Sequence, residues 1–269
     1  MGLAIDTVGV YLTNAGTTAE TLTDGTASPG DSLSVRNFQS PAYAKFEALF
    51  YDGPSGDQLR VKSPLFHDNV TGITYAPAET PSQFLMPAQA GQQLYSSDTL
   101  SVQMGAAAGA SSVAALLNYY SDLPGASARL HSWGDISGII KSFKTWQVPV
   151  TTSATPGTWV DTVINNTASQ FHAGYDYAIL GFQLDTAIAC VAVKGQETGN
   201  LRIGAPGTTD TLDISNYFVN LGNMHNTPHI PVFNADNAGS YYVCALDNAA
   251  STALNVYVVA VELQHTISP

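Results

Sequence analysis

Apolar positions along this chain recur mostly with a period of two. The segments AIDTVGVYL, SLSVRNF, AKFEALFY, TLSVQM, VAALLNYY, QVPVTT, YAILGFQL, AIACVAVKG, SYYVCAL and LNVYVVAVEL alternate, or are rich in β-branched and aromatic residues. Such runs predict half-buried strands, and the clusters TNAG, DGPSGD, DLPG, ATPG and GAPG between them supply turns. Two segments follow a helical period instead. DISGIIKSFKTW places Ile136, Ile139, Ile140, Phe143 and Trp146 on one face with Asp135 as N-cap, which predicts a helix over 135–146. TLDISNYFVNLGNM, around Asp213, predicts a shorter one. So few helices exclude a parallel sheet, and strands of this number close their apolar faces against one another as sandwiches.

The pattern occurs twice. QFLMPAQAGQQLYSSDTLSVQMGAAAGASSVAALLNYYSDL, from Gln83 to Leu123, and IPVFNADNAGSYYVCALDNAASTALNVYVVAVEL, from Ile230 to Leu263, run in one order: apolar pair, Ala-Gly turn, strand, small-residue turn, strand. YAKFEALFYD at Tyr43 resembles YAILGFQLDT at Tyr177, and QLRVKSP at Gln58 resembles NLRIGAP at Asn200. Gly91 pairs with Gly239 and Val113 with Leu254. Matches that keep their order while loop lengths drift indicate a duplicated scaffold. The expected fold is therefore all-β: two tandem β-sandwich or jelly-roll domains with a short helix at the junction. The first covers 1–134, the connecting helix 135–146 and the second 147–269.

Charge narrows the partners. Nine Lys and Arg against twenty-one Asp and Glu give −12, and no basic residue precedes Arg36 or falls between Lys62 and Arg129, so direct binding to nucleic acid is not expected. With 45% hydrophobic and 11% charged residues there is material for two cores. MGLAIDTVGVYL lacks the basic and long apolar regions of a signal peptide, and no window holds 18 apolar residues, so synthesis in the cytoplasm is expected. Cys190 and Cys244 alternate within strands and read as small core residues.

Of the six histidines only His225 and His229 are close, and Pro228 between them breaks the helical spacing that would aim both at one metal; they read as loop residues. Asp122, Asp135 and Asp161 could form a carboxylate site at the junction, as in glycan-cleaving amidases of tandem jelly-roll build. His131, Ser132 and Asp135 in HSWGD are triad residue types, but they read as a loop and helix cap. Asp52 and Asp57 in DGPSGD read as a turn before an ion site, and the glycosylation patterns at Asn69 and Asn165 as chance. No nucleophile elbow, P-loop or dinucleotide fingerprint occurs, so no catalytic residue, cofactor or metal is expected and the chain is not read as an enzyme.

A duplicated β-sandwich with little charge and no catalytic constellation resembles the double jelly-roll major capsid proteins of tailless icosahedral viruses of bacteria and archaea, many of which enclose a membrane. The resemblance spans the chain, from Ala4 to Asp122 and from Trp146 to Leu263, and it is architectural. It implies a homotrimer of pseudo-hexagonal outline that tiles a shell, in a virion assembled from protein made in the host cytoplasm. Implied partners are the chain itself, neighbouring capsomers, minor capsid or vertex proteins, and an underlying membrane or membrane protein. Trp133, Tyr119 and Tyr217 are the candidate interface anchors, and the insertions from Phe66 to Pro81 and from Thr208 to Pro231 the candidate decorations. Two other classes fit: a spike or carbohydrate-binding module stacking sugars on Trp133, Trp159, Tyr241 or Tyr242, and a hydrolase at the domain junction.

Overall fold

The structure is a computed structural model and describes residues 2–13, 22–54, 58–66, 68–77, 80–105, 111–164, 171–210 and 214–267. Asp57, Asp213 and the Asn165 acceptor lie outside the described residues. The first half contains β1 (Ala4–Thr13), β2 (Thr23–Asp24), β3 (Thr26–Ala27), β4 (Ala44–Asp52), β5 (Leu59–Lys62), β6 (Ile73–Tyr75), β7 (Ser82–Leu85), β8 (Gln92–Leu94), β9 (Ser101–Met104) and β10 (Ser111–Tyr120). The second contains β11 (Leu130–His131), α1 (Trp133–Ser137), β12 (Ile140–Thr151), β13 (Val160–Val163), β14 (Asp176–Leu184), β15 (Cys190–Lys194), β16 (Ile203–Pro206), α2 (Tyr217–His225), β17 (Ile230–Asn234), β18 (Tyr242–Leu246) and β19 (Ala253–Leu263).

Each half is a pair of antiparallel sheets. In the first, a large sheet of order β3-β1-β10-β4-β7, with β8 also on β4, faces a small sheet of order β2-β9-β5-β6. In the second, the large sheet runs β11-β17-β14-β19-β12 and the small one β13-β18-β15-β16. Taken from β12, the order β12-β19-β14-β17 repeats β1-β10-β4-β7, and the two small sheets correspond strand for strand. The fold is thus two tandem eight-stranded sandwiches with the connection order of a jelly roll. A shared irregularity strengthens the correspondence. The β4–β10 ladder slips so that Glu47 is an extra residue, and the β14–β19 ladder slips at Leu180 in the matching strands. A bulge re-aims one side chain and bends its strand, so its recurrence marks more than similar composition.

Several expectations change. Ile140–Thr151 is a strand, and the helix is only Trp133–Ser137. Its N-cap is Ser132 and not Asp135, which instead reaches back from the third helical position to close a capping box. The apolar set from Ile136 to Trp146 satisfies a helical period, but Trp146, Val148 and Val150 continue inward with period two and pairing with β19 decides the outcome. Leu130 and His131 pair with β17, so the second half's sheet begins before residue 134. The strands at Tyr43 and Tyr177 do correspond, whereas QLRVK forms β5 and the segment after Asn200 forms β16, which sit at different places in their sheets. Short apolar runs bounded by Gly and Pro look alike whichever position they fill. Gly91 and Gly239 share a connection, but only Gly91 has a positive φ. SLSVRNF contributes only an isolated bridge from Ser34 to Thr99.

The four sheets stack. One core lies between the sheets of the first half and includes Val10, Phe46, Tyr51, Leu59, Val102 and Met104. The other fills the second half and takes in Ile5, Ala48, Phe50, Val113, Leu117 and Tyr119 from the outer face of the first large sheet. That sheet is consequently buried on both faces, covered by the second small sheet and α2. Close approach requires residues without side chains here: Gly204 donates its N–H to Thr7 Oγ1 (2.8 Å), and a Cβ there would lie 2.7 Å from Thr7 Cγ2. Each buried aromatic at this seam contributes about 1.5–3 kcal/mol.

Candidate functional site

The bulge at Glu47 turns a carboxylate out of the first large sheet into the seam between the halves. His229 Nε2, from the loop preceding β17, lies 2.7 Å from Glu47 Oε2, and His225 Nδ1, at the end of α2, lies 3.9 Å from Oε1. His229 also meets Thr227 through Nδ1 and stacks on Tyr119 at 5.2 Å. Among the described residues neither ring nitrogen of His225 has a hydrogen-bond partner, and burial pushes this imidazole below its usual range while Glu47 opposes the shift. The two histidines, expected in an ordinary loop, are therefore core residues. The missed signal was Glu47 itself, an acid inside the apolar run AKFEALFYD. Among the described residues no group of three His, Cys, Asp or Glu is arranged to hold a metal. The cluster is buried, and what its geometry provides is hydrogen bonding between the halves, from His229 to Glu47.

Other buried polar groups fasten the same seam or its neighbourhood. Asp31 accepts from Gly9 N (2.7 Å), Trp159 Nε1 (2.9 Å) and Arg202 (2.9 Å), tying the first half to the second. Burial nevertheless raises its carboxyl above the usual range, with Gly9 and Arg202 opposing. Arg129 pairs with Asp176 and donates to Ile267 O (2.6 Å), clamping the chain's last described segment. The three acids considered for a junction site are used separately. Asp122 accepts from Gly2 N, Asp135 caps α1, and Asp161 pairs with Lys194 at 2.8 Å. HSWGD is the loop and cap its spacing indicated. Cys190 and Cys244 are free and buried, and burial raises both thiols.

Of the anchors expected between copies, Tyr119 and Tyr217 are 2% and 3% exposed and pack inside the chain, Tyr217 edge-on to Phe50 at 5.9 Å. Their assignment is corrected to contacts between halves; the strands and helix bearing them face the seam. Trp133 is part-exposed and lines a crevice of about 250 Å³ between α1 and α2 with His131, Asn223 and Asn226. The outward face of the first end sheet carries Arg60, Lys62, Ser101 and Gln103, while that of the second mixes Thr145, Gln147 and Thr151 with Pro149, Tyr257 and Val259. Against them stand Val70, Phe143 and Leu65, which are 75%, 71% and 51% exposed.

No family model matches the chain, and no curated protein matches it. Among solved structures the chain is compared with the STIV MCP at 8% identity and a TM-score of 0.20, covering 96% of this chain and 87% of that one. A second, the atomic structure of Sulfolobus Turreted Icosahedral Virus, gives 7% identity and a TM-score of 0.21, covering 97% and 91%. Likeness at this level carries no argument about fold or role, and both rest on the geometry above.

Proposed function

We propose that this chain is a structural capsid protein whose copies trimerise into pseudo-hexagonal capsomers and tile an icosahedral shell. The supporting observation is the repeated sandwich, with one strand order and a bulge in the same pair of strands, held as a unit by a seam buried on both sides. A rigid chain with two equivalent lobes presents six lobes when three copies close around an axis, an outline that packs without gaps. The domains of this tile are the two sandwiches, which meet near α1.

On this reading the buried acids, histidines and thiols serve cohesion, and the chain is not an enzyme. Its partners are other copies, neighbouring capsomers, minor capsid or vertex proteins and a membrane or membrane protein beneath the shell. With a net charge of −12 it stays off the nucleic acid in the virion, after synthesis in the host cytoplasm. A sugar-stacking module finds less support, since Trp159 and Tyr241 are buried and Trp133 and Tyr242 only part-exposed.

Light scattering and native mass spectrometry over a range of concentrations test the proposal. The expected species is three chains of 28.3 kDa each, or a larger closed shell. A monomer that persists at high concentration would overturn it.

A further inference from the structure

We propose that Glu47, His225 and His229 form an acid-sensitive clasp, which holds the end of α2 against the first half while His225 is neutral and releases it when weak acid protonates that ring. The clasp belongs to the single chain, so it stands apart from how copies assemble. Its parts come from both halves. Glu47 sits at the bulge of β4, His225 is the last residue of α2, and His229 follows in the loop before β17. The side chains of Glu47, His225 and His229 are 1%, 1% and 0% exposed.

A tight turn brings the two imidazoles side by side. Asn226 ends α2 in the left-handed region at φ 54°, and its N–H and that of Thr227 both reach Gly222 O. The chain folds back, and the His225 and His229 rings lie 6.2 Å apart at 26°. They share one carboxylate unequally. His229 Nε2 meets Glu47 Oε2 at 2.7 Å, whereas His225 Nδ1 stands 3.9 Å from Oε1, too far for a hydrogen bond. His225 is thus packed as an apolar ring would be, with both nitrogens unpaired among the described residues.

A proton on that ring would be a buried charge without a hydrogen-bonded partner. The charged and titratable groups around it are Glu47 and Lys45 from β4 and His229 from the loop, with Tyr119 of β10 stacked on His229 and Tyr217 on α2 itself. Burial keeps the Tyr119 and Tyr217 phenols protonated, so Glu47 is the one negative group among these, and it already serves His229. Burial is the main cause that pushes His225 below its usual range, and His229 and Lys45 add to it against Glu47. A histidine released into water takes its proton near about pH 6.5, before the docked ring does. The clasp's contribution is therefore complete above that pH and is lost progressively as pH falls below it.

The opening is local. Phe50 and Tyr217 pack edge-on at 5.9 Å within the core that spans the seam, and weak acid leaves that contact unchanged. What lets go is the last turn of α2 with residues 226–229, whose ties to the first half run through Glu47 and the Tyr119 ring.

NMR tests the clasp in two ways. In native wild-type protein the His225 ring should remain neutral where an ordinary histidine takes its proton, near about pH 6.5. Amide protection over residues 221–227, corrected for intrinsic exchange, should fall roughly tenfold between about pH 7.5 and about pH 5, a coupling of ordinary size. His225→Phe keeps a ring and removes no hydrogen bond, so its protection should match wild type at neutral pH and stay constant into acid. A His225 that titrates at or above the ordinary value in the native protein would overturn the clasp, and that measurement needs no variant. Wild-type protection that holds in acid would also overturn it, as would an equal acid loss in His225→Phe.

Discussion

Asp52, at the end of β4, and Asp247, just past β18, bring two carboxylates from different halves together. Burial, and then repulsion from Asp247, push the Asp52 carboxyl up to about 6, against one favourable hydrogen bond from Gly53. A carboxyl whose pKa is higher folded than unfolded binds more protons in the folded state. Its ionisation therefore costs stability as pH rises from about 4 to about 6. The interval from 3.8 to about 6 corresponds to a ceiling of about 3 kcal/mol, and screening at this half-buried site reduces it to about 2 kcal/mol. Asp52→Asn keeps an acceptor for Gly53 and removes the charge. It should stabilise the protein by about 2 kcal/mol at pH 7.5 and by less than about 0.5 kcal/mol at pH 4. Urea unfolding at both pH values, at one fixed protein concentration because association adds to apparent stability, reads the difference. A loss of stability at pH 7.5, or a gain independent of pH, would refute the reasoning.

Phe50→Ala opens a hole against Tyr217 in the seam and should cost about 3–5 kcal/mol in chemical unfolding, while keeping one transition for both halves. Burial alone would raise the Glu262 carboxyl, but Lys141, His172 and Tyr177 draw it down to about 2; the stability it supplies is complete above pH 4.5 and is lost as pH falls toward 2. Glu262→Gln should abolish that acid-side decline and cost about 1–2 kcal/mol at neutral pH, solvent around the exposed Lys141 and His172 screening the pairing, as measured by the same titration. Cys190 and Cys244 should resist thiol reagents until the chain unfolds, so stoichiometric labelling of native protein would contradict their burial.

The two-sandwich plan was legible because alternation is a local signal and a duplication repeats it: β4 and β14, and β10 and β19, were matched from residue order alone. Position within a sheet is a non-local property, which is why β5 was matched to β16. β12 was read as helix over its first turns because Ile140, Phe143 and Trp146 satisfy both periods, and only β19 beside it selects one. The junction cluster was hidden for a similar reason. Glu47 is four residues from Tyr43 and 178 or more from its histidines, and its inward aim depends on a bulge that no spacing announces. Tyr119 and Tyr217, expected as anchors between copies, are instead buried within the chain, a difference that residue type alone does not reveal.

The central claim is that the duplication exists to make a tile. Electron microscopy of the associated protein tests it most directly, by class averages viewed along the symmetry axis. The account predicts three copies whose six sandwiches form a hexagonal outline, extending into sheets or closed shells. Particles of three separated lobes with no six-lobed outline, or a population of lone chains, would contradict it.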